Sequence, residues 1–103
     1  MAYTRKQSIP NFSVEEIVFR GVLDILSTIE DSIWFGSMTD LDADLARVLP
    51  KAAVNILPKS PSALRVVLNR VVNRIRNQSV SIKFGKTNGS NSMRYVKFSK
   101  HNW

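Results

Sequence analysis

An α+β domain, mainly helical with one small antiparallel sheet, is the fold class that this chain of 103 residues predicts. Three observations carry the prediction. Apolar residues recur at helical spacing in three separate segments, each introduced by a Ser or Thr that can cap a helix. Near the C-terminus the spacing changes to strict alternation on both sides of a polar loop holding two glycines, the pattern of a β-hairpin. The composition, 44% hydrophobic with nine aromatics, suits a folded core of single-domain size.

Residues 1–12 read as a flexible arm. Ser13-Val14-Glu15-Glu16 has the spacing of a capping box, with Phe12 and Ile17 at the flanking staple positions. Ile17, Val18, Val22, Ile25, Leu26 and Ile29 then share one face, predicting a core-facing helix to about Ile29, closed by Glu30 and Asp31. Ile33-Trp34-Phe35-Gly36 is too short for a helix and reads as a strand or tight connector. Thr39 with Asp42 forms a second capping pattern, and Leu41, Leu45, Val48 and Leu49 continue a short helix up to Pro50, which cannot extend it cheaply. Residues 50–58 read either as a turn or as a short extra helical piece.

Ser60-Pro61 opens the next helix, with Ser60 as N-cap and proline in the favoured first position. Leu64, Val67, Leu68, Val71, Val72 and Ile75 fill one face, and Asn77 or Gln78 closes it. Val80, Ile82 and Phe84 alternate with Ser81 and Lys83 as a half-buried strand; residues 85–92 form a basic, glycine-containing loop; and Met93 to Phe98 returns with Val96 and Phe98 inward. Helix, short strand, helix, helix, strand, loop, strand is the winged helix-turn-helix order, a three-helix core with an antiparallel hairpin as wing. The expected boundaries are a winged-helix domain over 13–99 and a loose tail over 100–103.

Charge is divided along the chain. From Pro58 to Trp103 there are ten basic residues and no carboxylate; the first 57 residues hold five basic residues against eight acids, net −3. A +10 segment that cannot neutralise itself points to a polyanionic partner, most commonly nucleic acid. No apolar run approaches the length of a membrane span. The chain has no cysteine, which removes disulfides and thiolate metal sites. A cytoplasmic protein, bacterial or in a phage-infected cell, or one associated with the nucleoid, is the expectation.

The polar side of the 60–77 helix is built from arginine and asparagine: Arg65, Asn69, Arg70, Asn73, Arg74, Arg76 and Asn77, interrupted only by Val66. Solvated helix faces usually mix both signs, with Glu–Lys pairs four apart. Arginine offers a rigid fork matched to guanine or phosphate, asparagine a donor and acceptor matched to adenine, and a helix fits the major groove. Asn69, Asn73 and Arg70 are placed nearest the bases, and Arg65, Arg74 and Arg76 at the phosphates. Lys59, together with Lys86, Asn88 and Arg94 of the wing, completes the candidate DNA-binding set, and double-stranded DNA is the expected partner. Arg5 and Lys6 could also reach DNA, but the arm that carries them is read as disordered; Asn91 belongs to the basic hairpin tip.

No catalytic residue, metal or cofactor is assigned. Asp40, Asp42 and Asp44 have alternating spacing, but an EF-hand beginning at Asp40 needs glycine at 45 and glutamate at 51, where the chain has Leu45 and Lys51. Aspartates in a first helical turn answer the helix dipole. One histidine, His101, no cysteine and no phosphate-binding glycine loop leave no enzyme signature, so the chain is read as a non-enzyme. Trp34 is read as a core or sheet-edge residue, and His101 with Trp103 as part of the tail.

Trp34-Phe35-Gly36-Ser37, Leu57-Pro58-Lys59-Ser60-Pro61-Ser62-Ala63-Leu64, Leu68-Asn69-Arg70, Val80-Ser81-Ile82-Lys83-Phe84 and Arg94-Tyr95-Val96 together resemble the winged-helix domain at the C-terminus of phage and plasmid primase–helicase replication proteins. The resemblance covers about residues 33–98. It implies a DNA-binding accessory in the replication of a mobile element, either excised from a larger protein or free-standing, with primase, helicase or polymerase as possible protein partners. The stretch from Leu49 to Ser60 is longer than the usual helix-turn-helix connection. Two other functions fit the composition: a protein-docking winged helix within a replisome, using the acidic first half or the Ile33–Phe35 edge, and a phage or plasmid transcriptional regulator. Single-stranded nucleic acid fits less well, because stacking platforms need aromatics beside basic residues and the 60–77 helix has none, with only Tyr95 nearby.

Overall fold

The structure, a computed structural model, describes residues 13–87, 93–101 and 103. The arm 1–12 and the wing tip, with Asn88 and Asn91, lie outside the described residues. The elements are α1 (Val14–Thr28), β1 (Ile33–Gly36), α2 (Met38–Val48), a single-turn α3 (Lys51–Val54), α4 (Pro61–Arg76), β2 (Val80–Lys86) and β3 (Arg94–Lys100). The three strands form one antiparallel sheet in the order β1-β3-β2. This is the α+β, winged-helix-like arrangement, with α3 inserted in the long α2–α4 connection.

Local chemistry accounts for the helix ends. Ser13 caps α1, its Oγ accepting from the Glu16 amide at 3.2 Å, but the Glu16 carboxylate turns to Arg20 and Arg74 instead of completing a box. α1 ends at Thr28, one residue before the expected Ile29, which is the extended C-cap. It has no basic residue in its own last turn; Lys100 of β3 supplies one, its Nζ donating to the Leu26 and Ile29 carbonyls at 2.7 and 3.1 Å. A cation on the terminal carbonyls satisfies orphan acceptors and the negative end of the helix dipole.

The second capping box is formed two residues earlier than its sequence spacing predicts. Ser37 Oγ accepts from the Asp40 amide and the Asp40 carboxylate accepts from the Ser37 amide, so Thr39 lies inside the helix. Ser37-x-x-Asp40 overlaps Thr39-x-x-Asp42, and the copy adjoining the end of β1 is used. In α4 the cap is Ser60, with Pro61 in the first turn and Asn77 as C-cap, as expected.

The core is formed where α1, α2 and α4 meet the inner face of the sheet. Ile17, Val18, Val22, Ile25 and Leu26 pack with Leu41, Leu45, Leu64, Leu68, Val71 and Ile75, and with Val96 and Phe98 of β3. Trp34 is buried against Phe98, ring centroids 5.7 Å apart, and its indole N–H donates to Asp44 at 2.8 Å. The three aspartates are thereby separated: Asp40 caps, Asp44 holds Trp34 and Arg47, and Asp42 is exposed.

Both hairpin strands outrun their expected ends. The ladder pairs Val80 with Lys100 through to Lys86 with Arg94, and the Thr87 amide donates to the Met93 carbonyl at 2.8 Å beyond it. The expected loose tail is instead fastened at three points. The His101 amide donates to the Ser79 carbonyl, His101 Nε2 lies 2.6 Å from Ser81 Oγ, and the Trp103 indole donates to the Gln78 carbonyl.

Ser79, in the turn between α4 and β2, has φ 61°, the left-handed region where glycine is at ease. Ser79→Gly is expected to stabilise the protein by up to about 1 kcal/mol, raising the melting temperature by roughly 4–8 °C. A calorimetric scan showing no rise would mean that the serine contributes a compensating contact.

Candidate nucleic-acid interface

α4 lies between α1 on one side and β2 on the other, and this divides its arginines into two groups. On the α1 side, Arg70 Nη1 is 3.2 Å from Glu15 and Arg74 Nη2 is 2.8 Å from Glu16. Arg20 also reaches Glu16, at 2.9 Å, and the Arg74 guanidinium lies over the Phe19 ring, 4.1 Å from its centroid. The stretch free of acids in sequence is thus not free of acids in space. Arg70 and Arg74 are nonetheless about half exposed, at 61% and 47%, and exposed ion pairs hold weakly.

The glutamates register the pairing. Glu15 is held below its ordinary value, first by its backbone hydrogen bond and then by Arg70. Glu16 is held down chiefly by the Arg74 hydrogen bond, with Arg20 adding and burial opposing. A carboxylate whose folded pKa is depressed contributes stability that is complete above its unfolded value and lost as pH falls through the folded one. Asp24, pushed up by burial, has the opposite sign. Stability should therefore decline as the solution is acidified below the ordinary value of 4.5, and less steeply in the E15Q/E16Q double variant. Denaturant midpoints measured across that range check this; parallel curves for the two proteins would remove the α1–α4 pairs as the cause.

On the sheet side the α4 arginines form no ion pair with an acid among the described residues. Arg65, in the second turn of α4, stacks over Phe84 at 3.9 Å. Its Nε is shielded from solvent and has no hydrogen-bond partner among the described residues. Arg65 and Arg94 line a cleft of about 330 Å³ with Met38, Thr39, Pro61 and Ser62, and an adjoining one of about 260 Å³ with Phe84, Gly85 and Lys86. Lys86 and Arg94 are direct cross-strand partners on the face of the hairpin turned toward the helices. Like charges directly opposite each other on a ladder are destabilising.

Asn69 and Asn73 are exposed on the outward strip of α4 between the two arginine groups, beside Val66, which is 51% exposed. Lys59 donates to the Asn55 carbonyl at 3.2 Å, at the end of the connector. Arg76 is at the far end of α4, lining a cleft with Ser79, Ser81 and His101, away from Arg65 and the wing. Asn88 lies outside the described residues. Lys83 and Lys97 were not selected from sequence, yet they form a second like-charge cross-strand pair, on the outer face of the sheet.

Among the described residues no cluster of three or more His, Cys, Asp or Glu could hold a metal ion, and no helix is long and apolar enough to cross a membrane. In comparisons with known proteins the chain matches no family model, no curated protein and no solved structure.

Proposed function

We propose that this chain is a winged-helix module that binds duplex DNA through α4 and the wing, as an accessory in the replication of a phage or plasmid in the bacterial cytoplasm. The observation that carries the reading is the convergence of Arg65, Lys86 and Arg94 on adjoining clefts whose described lining residues include no acid. Arg65 borders the exposed Asn69–Asn73 strip on α4, and Lys86 and Arg94 share its clefts, so phosphate contacts would lie beside a surface able to reach base edges. The Lys86–Arg94 pair is costly in the free protein, and a polyanion relieves that cost. The replication context rests on the resemblance of residues 33–98 to the C-terminal domain of primase–helicase proteins.

Duplex affinity measured against salt tests the reading. Three phosphate contacts give a log–log slope of roughly −3, and further contacts steepen it. Binding that is absent at low salt, or that is flat with salt, would overturn it.

A further inference from the structure

The outer face of the sheet, turned away from all four helices, has its own chemistry. β1 contributes Ile33 and Phe35, β3 contributes Tyr95, Lys97 and Ser99, and β2 contributes Ser81, Lys83 and Gly85. Phe35 is 58% exposed. Its ring lies against Tyr95, centroids 4.7 Å apart and planes tilted by 37°. Phe35, Lys97 and Lys83 form one row across the three strands. Tyr95 pairs with Gly85, where an added Cβ would collide with the tyrosine ring and hydroxyl; the glycine lets the ring lie flat along the sheet. None of the outward strand positions is acidic.

We infer that this face is a second nucleic-acid site, a stacking platform for single-stranded DNA in which bases lie on Phe35 and Tyr95 and phosphates on Lys83 and Lys97. Exposed aromatics beside cations on a flat surface are what unpaired nucleotides bind, because every base has a π-face and every linkage a negative charge. A duplex cannot use the platform, since its bases are already stacked. A second copy of the same face is disfavoured, since a two-fold contact would bring the lysines of both copies together. The two adjacent lysines select an anionic occupant over an apolar protein surface. The site is independent of the duplex reading, because α4 packs on the opposite side of the sheet. A chain carrying both surfaces could hold a duplex beside its unwound strand.

The test uses the full chain and a fluorescent thymidylate oligomer about 15 nucleotides long, with a duplex of equal length alongside. Phe35→Leu keeps an apolar side chain but removes the ring, and it should weaken oligothymidylate binding about tenfold while duplex affinity stays within about twofold. Phe35→Tyr should restore binding, and Gly85→Ala, which displaces Tyr95, should weaken it. Circular dichroism melts of each variant separate loss of the site from loss of the fold. Oligothymidylate affinity unchanged in Phe35→Leu would overturn the inference and leave the exposed ring to a protein partner. Equal loss on oligomer and duplex would also overturn it, and tighter binding of a uridylate oligomer would overturn DNA as the occupant. Failure of duplex binding with oligomer binding intact would remove the proposed α4 function alone.

Discussion

Replacing Phe98 by alanine should destabilise the protein by about 3–5 kcal/mol, the usual range for deleting a buried aromatic ring. Phe98 is fully buried on the central strand, with Trp34 of β1 and Ile82 of β2 as its two register partners. Its ring therefore supports both edge strands from the inside, and it is one of the places where the sheet joins the helical core. Domains of this size hold only about 5–15 kcal/mol in total, so the substitution would remove a large share of the stability. Denaturant titration gives the number, and a loss below about 1 kcal/mol would show that the sheet is only loosely coupled to the helices. Phe35→Ala, on the outer face of the adjoining strand, removes a ring that is 58% exposed and lies against Tyr95, and should cost about 1 kcal/mol or less.

That contrast between two phenylalanines was half legible in the sequence. The alternation in the hairpin assigns Phe98 inward without ambiguity. β1 is too short for its alternation to be decisive, and its pairing with β3 joins residues 60 to 66 positions apart. The helices were legible because their information is local: periodic apolar residues, Ser60-Pro61, a serine before the first turn. Even there, the capping pattern expected at Thr39 and Asp42 gives way to the overlapping one at Ser37 and Asp40, which adjoins the end of β1. Charge was the least legible property. Arg70 and Glu15 are 55 residues apart and Arg74 and Glu16 are 58 apart, so no reading along the chain could show that α1 returns its carboxylates to α4. Lys100, one of the ten basic residues of the acid-free stretch, caps α1.

The division of the α4 arginines makes a discriminating prediction. R65Q/R94Q should lower duplex affinity by about 10- to 100-fold at moderate salt and reduce the magnitude of the salt slope by about two, one unit for each lost phosphate contact. R70Q/R74Q removes the same formal charge but should cost less. Those guanidiniums already face Glu15 and Glu16, and a phosphate must compete with carboxylates at 3.2 and 2.8 Å. Arg65 has no such rival among the described residues, and its stacking on Phe84 fixes the plane of its donors, so little ordering is left to do on binding. A larger loss from R70Q/R74Q than from R65Q/R94Q would place the contact on the α1 side of α4 and would mean that DNA displaces the glutamates. In that case E15Q/E16Q should tighten duplex binding. With the contact on the sheet side, the same substitution should leave duplex affinity within about twofold, because α1 then faces away from the phosphates.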